Sequence, residues 1–145
     1  MTRAVLDSSV LVSAFLKGDG TPAVLLLHAL AGRFSLCLSR EILTETSRVL
    51  LRPKLIERYR YTPDDVTEYE TALARAATIT LNLLDLRGAV PLDPKDDMVV
   101  ATAVEAEADY LVSGDRHLLS LGAFGSIRTI TPRAFLERII PEAGN

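Results

Sequence analysis

Short apolar runs alternate with longer segments of helical pattern along this chain. Residues 4–6, 34–38, 110–113 and 127–130 form apolar runs of the length of buried strands, and residues 78–81 form a candidate edge strand. Helices are predicted for residues 10–16, 23–31, 40–51, 54–60, 63–76, 94–108, 117–121 and 132–140, whereas 83–92 is irregular. This order predicts the α/β class, with a mostly parallel sheet covered by helices on both faces.

Capping residues place the starts of several helices. Thr21, Thr62 and Thr131 each stand directly before a proline, the form of a helix start with proline in the first turn. Asp93 also precedes a proline, and Ser39 can cap the helix that begins at residue 40. The helix starts are therefore better defined than the helix ends.

Length and composition indicate one globular domain over residues 1–145. Hydrophobic residues make up 48% of the chain and charged residues 24%, which argues against disorder. Cys37 is the only cysteine, so no internal disulfide forms and a reducing compartment is expected. The longest apolar stretch, residues 23–31, is too short to span a bilayer. We therefore predict a cytoplasmic protein without a membrane partner.

The net charge of −3 does not exclude a nucleic-acid substrate. A site of four carboxylates would account for that sign by itself, because −3 + 4 leaves +1 for the rest of the chain.

Two aspartates stand at the predicted carboxyl ends of strands. Asp7 follows the apolar run at residues 4–6, and Asp115 closes the run at 110–113. In open α/β sheets this edge carries the ligand sites, and a carboxylate buried there requires compensation. The alternative for each residue is a structural role as a turn or N-cap aspartate.

Glu45 lies on the apolar side of its predicted helix. Ile42 is three residues before it and Val49 four residues after it, so the glutamate faces the core. The alternative is a salt bridge to Arg48, three residues further on.

Asp96 and Asp97 occupy the first turn of a helix that continues as the apolar ladder 99–104. The helix dipole favours acids there without any further function. The apolar ladder, however, indicates a buried helix whose start meets the edge of the sheet.

Carboxylates that converge repel one another unless a cation neutralises them. Hard oxygen ligands select Mg²⁺ or Mn²⁺, and an acid-only metal site suits phosphodiester hydrolysis. A nucleophilic serine is poorly supported, because Ser8, Ser9 and Ser113 have only His28 and His117 as candidate bases.

Four segments together resemble the PIN domain family, and within it the VapC-like toxins of toxin–antitoxin pairs. The segments are residues 5–14 (VLDSSVLVSA), 39–45 (SREILTE), 93–103 (DPKDDMVVATA) and 108–115 (ADYLVSGD). The resemblance implies a three-layer α/β/α sandwich and a Mg²⁺- or Mn²⁺-dependent endoribonuclease. It places the family's catalytic acids on Asp7, Glu45, Asp96 and Asp115. Asp7, Asp96 and Asp115 would bind the metal, and Glu45 would complete the shell or position the attacking water.

Three further residues are secondary candidates for this site. Asp96 is preferred over Asp97 because it sets residues 101–103 in register with the family's small-residue helix, although Asp97 can contribute. Ser9 stands where the family often has asparagine, and it can still hydrogen-bond a water or a phosphate. Ser113 lies two residues before Asp115.

The resemblance also implies an RNA substrate, a homodimer and a small antitoxin whose tail blocks the acidic cleft. A basic cluster is compatible with either an RNA or an acidic partner, and its alternative is a solvated helical face. Its members are Arg48, Arg52, Lys54, Arg58 and Arg60.

Other functions stay open on the sequence. One is a PIN-fold nuclease of RNA processing without an antitoxin, and another is a scaffold that has lost catalysis. An aspartyl-phosphate phosphatase normally has a second acid where this chain has Ser9. A Mg²⁺-binding receiver domain expects its paired acids before the phosphorylated aspartate, whereas here they come late.

Overall fold

A computed structural model describes residues 1–81 and 94–143 of the chain. The strands are β1 (Arg3–Leu6), β2 (Ser35–Ser39), β3 (Thr78–Thr80), β4 (Tyr110–Val112), β5 (Ala123–Phe124) and β6 (Ile127–Ile130). The helices are α1 (Ser8–Leu16), α2 (Thr21–Leu30), α3 (Arg40–Leu50), α4 (Pro53–Tyr59), α5 (Pro63–Ala76), α6 (Pro94–Glu105), α7 (Arg116–Leu121), α8 (Pro132–Ala134) and α9 (Ile140–Ala143). A π-helical segment, Phe135–Ile139, joins α8 to α9.

The six strands form one sheet in the order β3-β2-β1-β4-β6-β5. All neighbouring pairs are parallel except β5 and β6. Helix α1 packs against α2 and α3, and α3 packs against α5, while α6 connects the edge strand β3 to β4 and packs on β1, β2 and β4. The fold is a three-layer α/β/α sandwich with a mostly parallel sheet, as the sequence predicts.

Strand β1 lies at the centre of the sheet and of the core. Ala4, Val5 and Leu6 are completely buried, as expected for a short apolar run between two helical layers. The chain leaves β1 toward β2 on one side and returns through α6 to β4 on the other. The carboxyl ends of β1 and β4 therefore flank the topological switch point, where open α/β sheets form their ligand sites.

Four of the five predicted side-chain caps fall on described residues, and three of these four are present. Thr62 accepts a hydrogen bond from the Asp65 N–H, and Asp65 returns one from the Thr62 N–H, which completes a capping box. Ser39 caps α3 and Thr131 caps α8. The fourth prediction is wrong by one residue: Gly20 occupies the N-cap of α2, and Thr21 is already helical.

Some boundaries differ from the sequence prediction. Helix α6 ends at Glu105, because Glu107 turns into the left-handed region (φ 52°) and the Ala108 N–H bonds back to the Ala103 carbonyl. Strand β5 was not predicted, and the π-helical segment interrupts the last helix. The predicted irregular segment 83–92 and the predicted cap at Asp93 lie outside the described residues.

Within the described ranges no single helix combines the length and apolar character needed to cross a membrane. Helices α1 and α2 reach that length and apolar character only when taken together, and they are bent by 101° relative to each other.

Candidate active site

A cleft of about 500 Å³ opens at the carboxyl edge of the sheet, beside the switch point. Its wall contains Asp7, Glu45, Asp96 and Asp115, which come from four separate elements. The rest of the described wall is formed by Ser8, Ser9, Val10, Ser13, Pro22, Met98, Val99, Gly114 and Pro132. The fold thus gathers into one cleft four acids that are up to 108 residues apart in sequence.

Asp7 joins β1 to α1 and is the most constrained of these acids. Its backbone N–H donates to the Val112 carbonyl of β4 (3.0 Å), and its carbonyl accepts from the first turn of α1. Its side chain is 7% exposed and makes no cap hydrogen bond to α1. The N-cap alternative therefore fails for the side chain of Asp7.

Three serine hydroxyls lie next to the Asp7 carboxylate. Ser113 Oγ donates to Oδ2 at 2.8 Å, Ser9 Oγ lies 3.4 Å from the same oxygen, and Ser8 Oγ lies 3.4 Å from Oδ1. Burial raises the pKa of Asp7 above its usual value; hydrogen bonds from the Ser113 and Ser9 side chains and from the Ser8 backbone oppose this rise, and the nearby charge of Asp115 adds to it. A buried carboxylate of this kind, in a cleft beside other acids, is typical of a functional site.

Ser113 connects the two strand-end aspartates. It is completely buried, and its hydroxyl donates to Asp7 Oδ2 while it accepts the backbone N–H of Asp115 at 2.9 Å. The single hydroxyl therefore fixes the carboxylate of one acid and the backbone of the other. Its environment makes Ser113 a positioning residue and not an exposed nucleophile.

Asp115 has the structural role that was the alternative for it. Its Oδ1 accepts from the backbone N–H groups of His117 (2.7 Å) and Leu118 (3.4 Å), and so caps α7. Asp115 also lines the cleft. Asp115 can therefore cap α7 and face the cleft at the same time.

Glu45 likewise combines both predicted placements, on the inner side of its helix and in a salt bridge to Arg48. Its side chain lines the cleft, is 17% exposed and forms a short ion pair with Arg48, one turn along α3. The Arg48 guanidinium is more than half exposed. Glu45 therefore connects the acidic cleft to the basic cluster that starts at Arg48.

Asp96 and Asp97 differ in their placement. Asp96 is 4% exposed and lines the cleft from the first turn of α6. Asp97 is half-buried and is not part of the cleft wall among the described residues.

Ser39 and Thr102 form a contact that the sequence analysis did not predict. Both are completely buried, and Thr102 Oγ1 donates to Ser39 Oγ at 2.9 Å. This bond ties α6 to the N-terminus of α3, and so it couples the helices that carry Asp96 and Glu45. A threonine inside the apolar ladder 99–104 was the signal for such a contact.

The chemistry of the wall fits a hard divalent cation. The described wall offers carboxylate and hydroxyl oxygens and neither thiol nor imidazole, the donor set of Mg²⁺ and Mn²⁺. In residues 1–81 and 94–143, however, no three Asp, Glu, His or Cys side chains lie close enough together to form a ready metal centre. Glu45 is engaged by Arg48, and Asp115 is engaged by the start of α7.

A family model described as the PIN domain matches residues 3–117, a range that includes all four acids. The chain belongs to the PIN domain family. The members of this family are generally nucleases and typically bind divalent metal.

A solved structure of another protein has a similar fold. The structure of PAE2754 from Pyrobaculum aerophilum matches with a TM-score of 0.64 and 16% identity over 97% of this chain and 90% of that chain. No curated protein matches the sequence.

Proposed function

We propose that this PIN domain is a metal-dependent endoribonuclease that hydrolyses RNA phosphodiester bonds in the acidic cleft. The observation that supports it is the convergence of Asp7, Glu45, Asp96 and Asp115 on one cleft at the switch point. Asp7 and Asp96 are both buried there. A cation would remove the repulsion between the carboxylates and the penalty for burying them.

In this proposal Asp7, Asp96 and Asp115 hold Mg²⁺ or Mn²⁺. The ion, when bound, supplies a nucleophile from water at neutral pH and neutralises the charge that develops on the phosphate. Glu45 completes the shell or orients the attacking water as a general base, for which it must exchange its contact with Arg48.

The serines orient these acids. Ser113 donates a hydrogen bond to Asp7 Oδ2, while the other carboxylate oxygen, Oδ1, lies next to the Ser8 hydroxyl. Ser9, with its hydroxyl beside Asp7, is placed to hydrogen-bond a water or a phosphate oxygen.

The direct test is cleavage of a labelled RNA by the wild-type protein with EDTA, Mg²⁺ or Mn²⁺. We expect cleavage with Mg²⁺ or with Mn²⁺ and none in EDTA. The cleavage rate of Asp7→Asn should be roughly 10³-fold lower, because the variant keeps the shape of the side chain and removes its charge. Asp64→Asn is the matched control, since Asp64 is an exposed acid in the first turn of α5. Undiminished cleavage by Asp7→Asn would overturn this mechanism.

We further propose that the nuclease is the toxin of a two-component module and acts as a homodimer. The support is the resemblance of the four acidic segments to VapC-like toxins. Co-expression with a small adjacent reading frame tests the first part: the frame should restore growth that the wild-type chain arrests. Expression of the wild-type chain without growth arrest would favour a PIN-fold nuclease of RNA processing.

A further inference from the structure

We infer that the exposed face formed by the end of α3 and by α4 binds the RNA backbone and guides it into the cleft. This α3–α4 surface consists of Arg48, Arg52, Lys54, Arg58 and Arg60, and the inference rests on the proposed RNase activity. All five residues are exposed, and Glu57 is the only acid between residues 48 and 60. The surface therefore concentrates positive charge on a protein whose net charge is −3.

Most of these charges have no structural partner. In the described part of the chain, Arg52, Lys54 and Arg60 form no ion pair, and Arg58 lies over the Tyr59 ring at 5.5 Å. A solvated helical face usually mixes charges of both signs, which then support one another along the helix. This face has almost one sign only.

The charges also oppose the local preferences of α4. Lys54 and Arg58 are four residues apart and share one face, where like charges repel. Arg52 and Lys54 lie at the N-terminal end of α4, whose first turn has no acid, and the helix dipole disfavours cations there. Helix stability alone would therefore not select Arg52 and Lys54, whereas Arg58 lies in the last turn, where the dipole favours a cation.

Arg60 adds a third local conflict. It ends α4 in the left-handed region, with φ 56°, where glycine or asparagine is the usual residue. Departures from local preference that accumulate on one surface are expected at functional sites.

The α3–α4 surface begins at the rim of the cleft. Arg48 is bound to the cleft residue Glu45, and the basic residues continue from there along α4, which is roughly 10 Å long. The Tyr61 hydroxyl donates to the Leu50 carbonyl at 2.5 Å and so ties the end of α4 to the end of α3. A polyanion bound along this path would enter the site beside Glu45, where Arg48 can transfer its contact from the carboxylate to a phosphate.

The test is the salt dependence of RNA binding, measured by fluorescence anisotropy in EDTA with a labelled 20-nucleotide single strand. For the triple variant Arg52→Gln, Lys54→Gln, Arg58→Gln we expect the slope of log K against log salt to fall by about 2, since each phosphate contact contributes about 0.7 on a single strand. The affinity at 0.1 M salt should fall on the order of 100-fold, because a slope change of about 2 corresponds to about two log units at that salt concentration. The control variant Arg75→Gln, Arg128→Gln, Arg138→Gln removes the same charge from exposed positions on other elements and should bind as the wild type does.

The outcomes separate this inference from the nuclease proposal. Equal slopes in the two triple variants, with wild-type cleavage intact, would overturn the surface and leave the nuclease. The inference would also be overturned if polyglutamate bound the α3–α4 surface more tightly than RNA does, because the partner would then be an acidic protein. If RNA binding depends on the α3–α4 surface but the protein does not cleave RNA, the surface inference would be supported and the nuclease proposal overturned.

Discussion

Asp7 and Asp115 follow neighbouring parallel strands, yet the fold uses their carboxylates differently. Asp115 gives one oxygen to the first turn of α7, so its side chain stabilises a helix whether or not a metal binds. Asp7 caps nothing with its side chain, and burial raises its pKa. The same sequence pattern thus yields one acid with a structural reason for its place and one acid without.

The difference indicates which acid carries information about function. A capping aspartate is expected wherever a helix begins, so Asp115 alone would predict little. Asp7 is held by hydroxyls in a position that disfavours its charge, and a cation would reverse that preference. The two aspartates should therefore respond differently to substitution.

The largest effect on stability is expected for Ser113→Ala, because Ser113 connects Asp7 and Asp115. The change removes the 2.8 Å donor of Asp7 and the acceptor of the Asp115 N–H, both in a buried place. We expect a loss of about 2 kcal/mol in the free energy of unfolding, measured by urea denaturation in EDTA. An unchanged unfolding midpoint would show that Ser113 does not hold the two acids.

Asp115→Ala and Asp115→Asn separate the cap of Asp115 from its charge. Alanine removes the cap of α7 and should lower the free energy of unfolding by about 1 kcal/mol, whereas asparagine caps nearly as well as aspartate and should preserve it. Both variants should lose divalent-dependent cleavage. If Asp115→Asn cleaved RNA as fast as the wild type, Asp115 would be a cap and not a metal ligand.

The smallest expected effect is on the pH dependence of the free energy of unfolding, because a single group, the Asp7 carboxyl, produces it. The raised pKa means that Asp7 binds its proton more tightly in the folded protein than in the unfolded chain. The metal-free protein should therefore lose stability as the pH rises from 3.8, the unfolded value, through the raised folded pKa, and Asp7→Asn should lack this contribution. Identical pH profiles for the wild type and Asp7→Asn in EDTA would contradict the effect of burial.

The fold was largely predictable because its signals are local. Short buried strands, the threonine caps at Thr62 and Thr131 and the apolar ladder of α6 specify their elements within a few residues. Strand β5 has two residues and too little length for any periodicity. The π-helical segment begins at Phe135, which packs against Phe34 and Tyr110 from distant parts of the chain, so tertiary contacts override the helical pattern there.

The candidate site was predictable in its members and less so in their contacts. Residues at strand ends and in first turns are brought to one edge by topology, which the order of elements already implies. The partners of their side chains depend on rotamers and neighbours distant in sequence. The Ser113 bridge and the bond between Thr102 and Ser39 are of this second kind.

The most direct test of the central claim, that Asp7 is a metal ligand, is Mn²⁺ binding followed by electron paramagnetic resonance. We expect the wild type and Asp64→Asn to bind Mn²⁺ equally well. Asp7→Asn should bind at least about tenfold more weakly, since it loses a charged ligand from a buried place. Mn²⁺ binding by Asp7→Asn with the affinity of the wild type would contradict the assignment of Asp7 as a metal ligand.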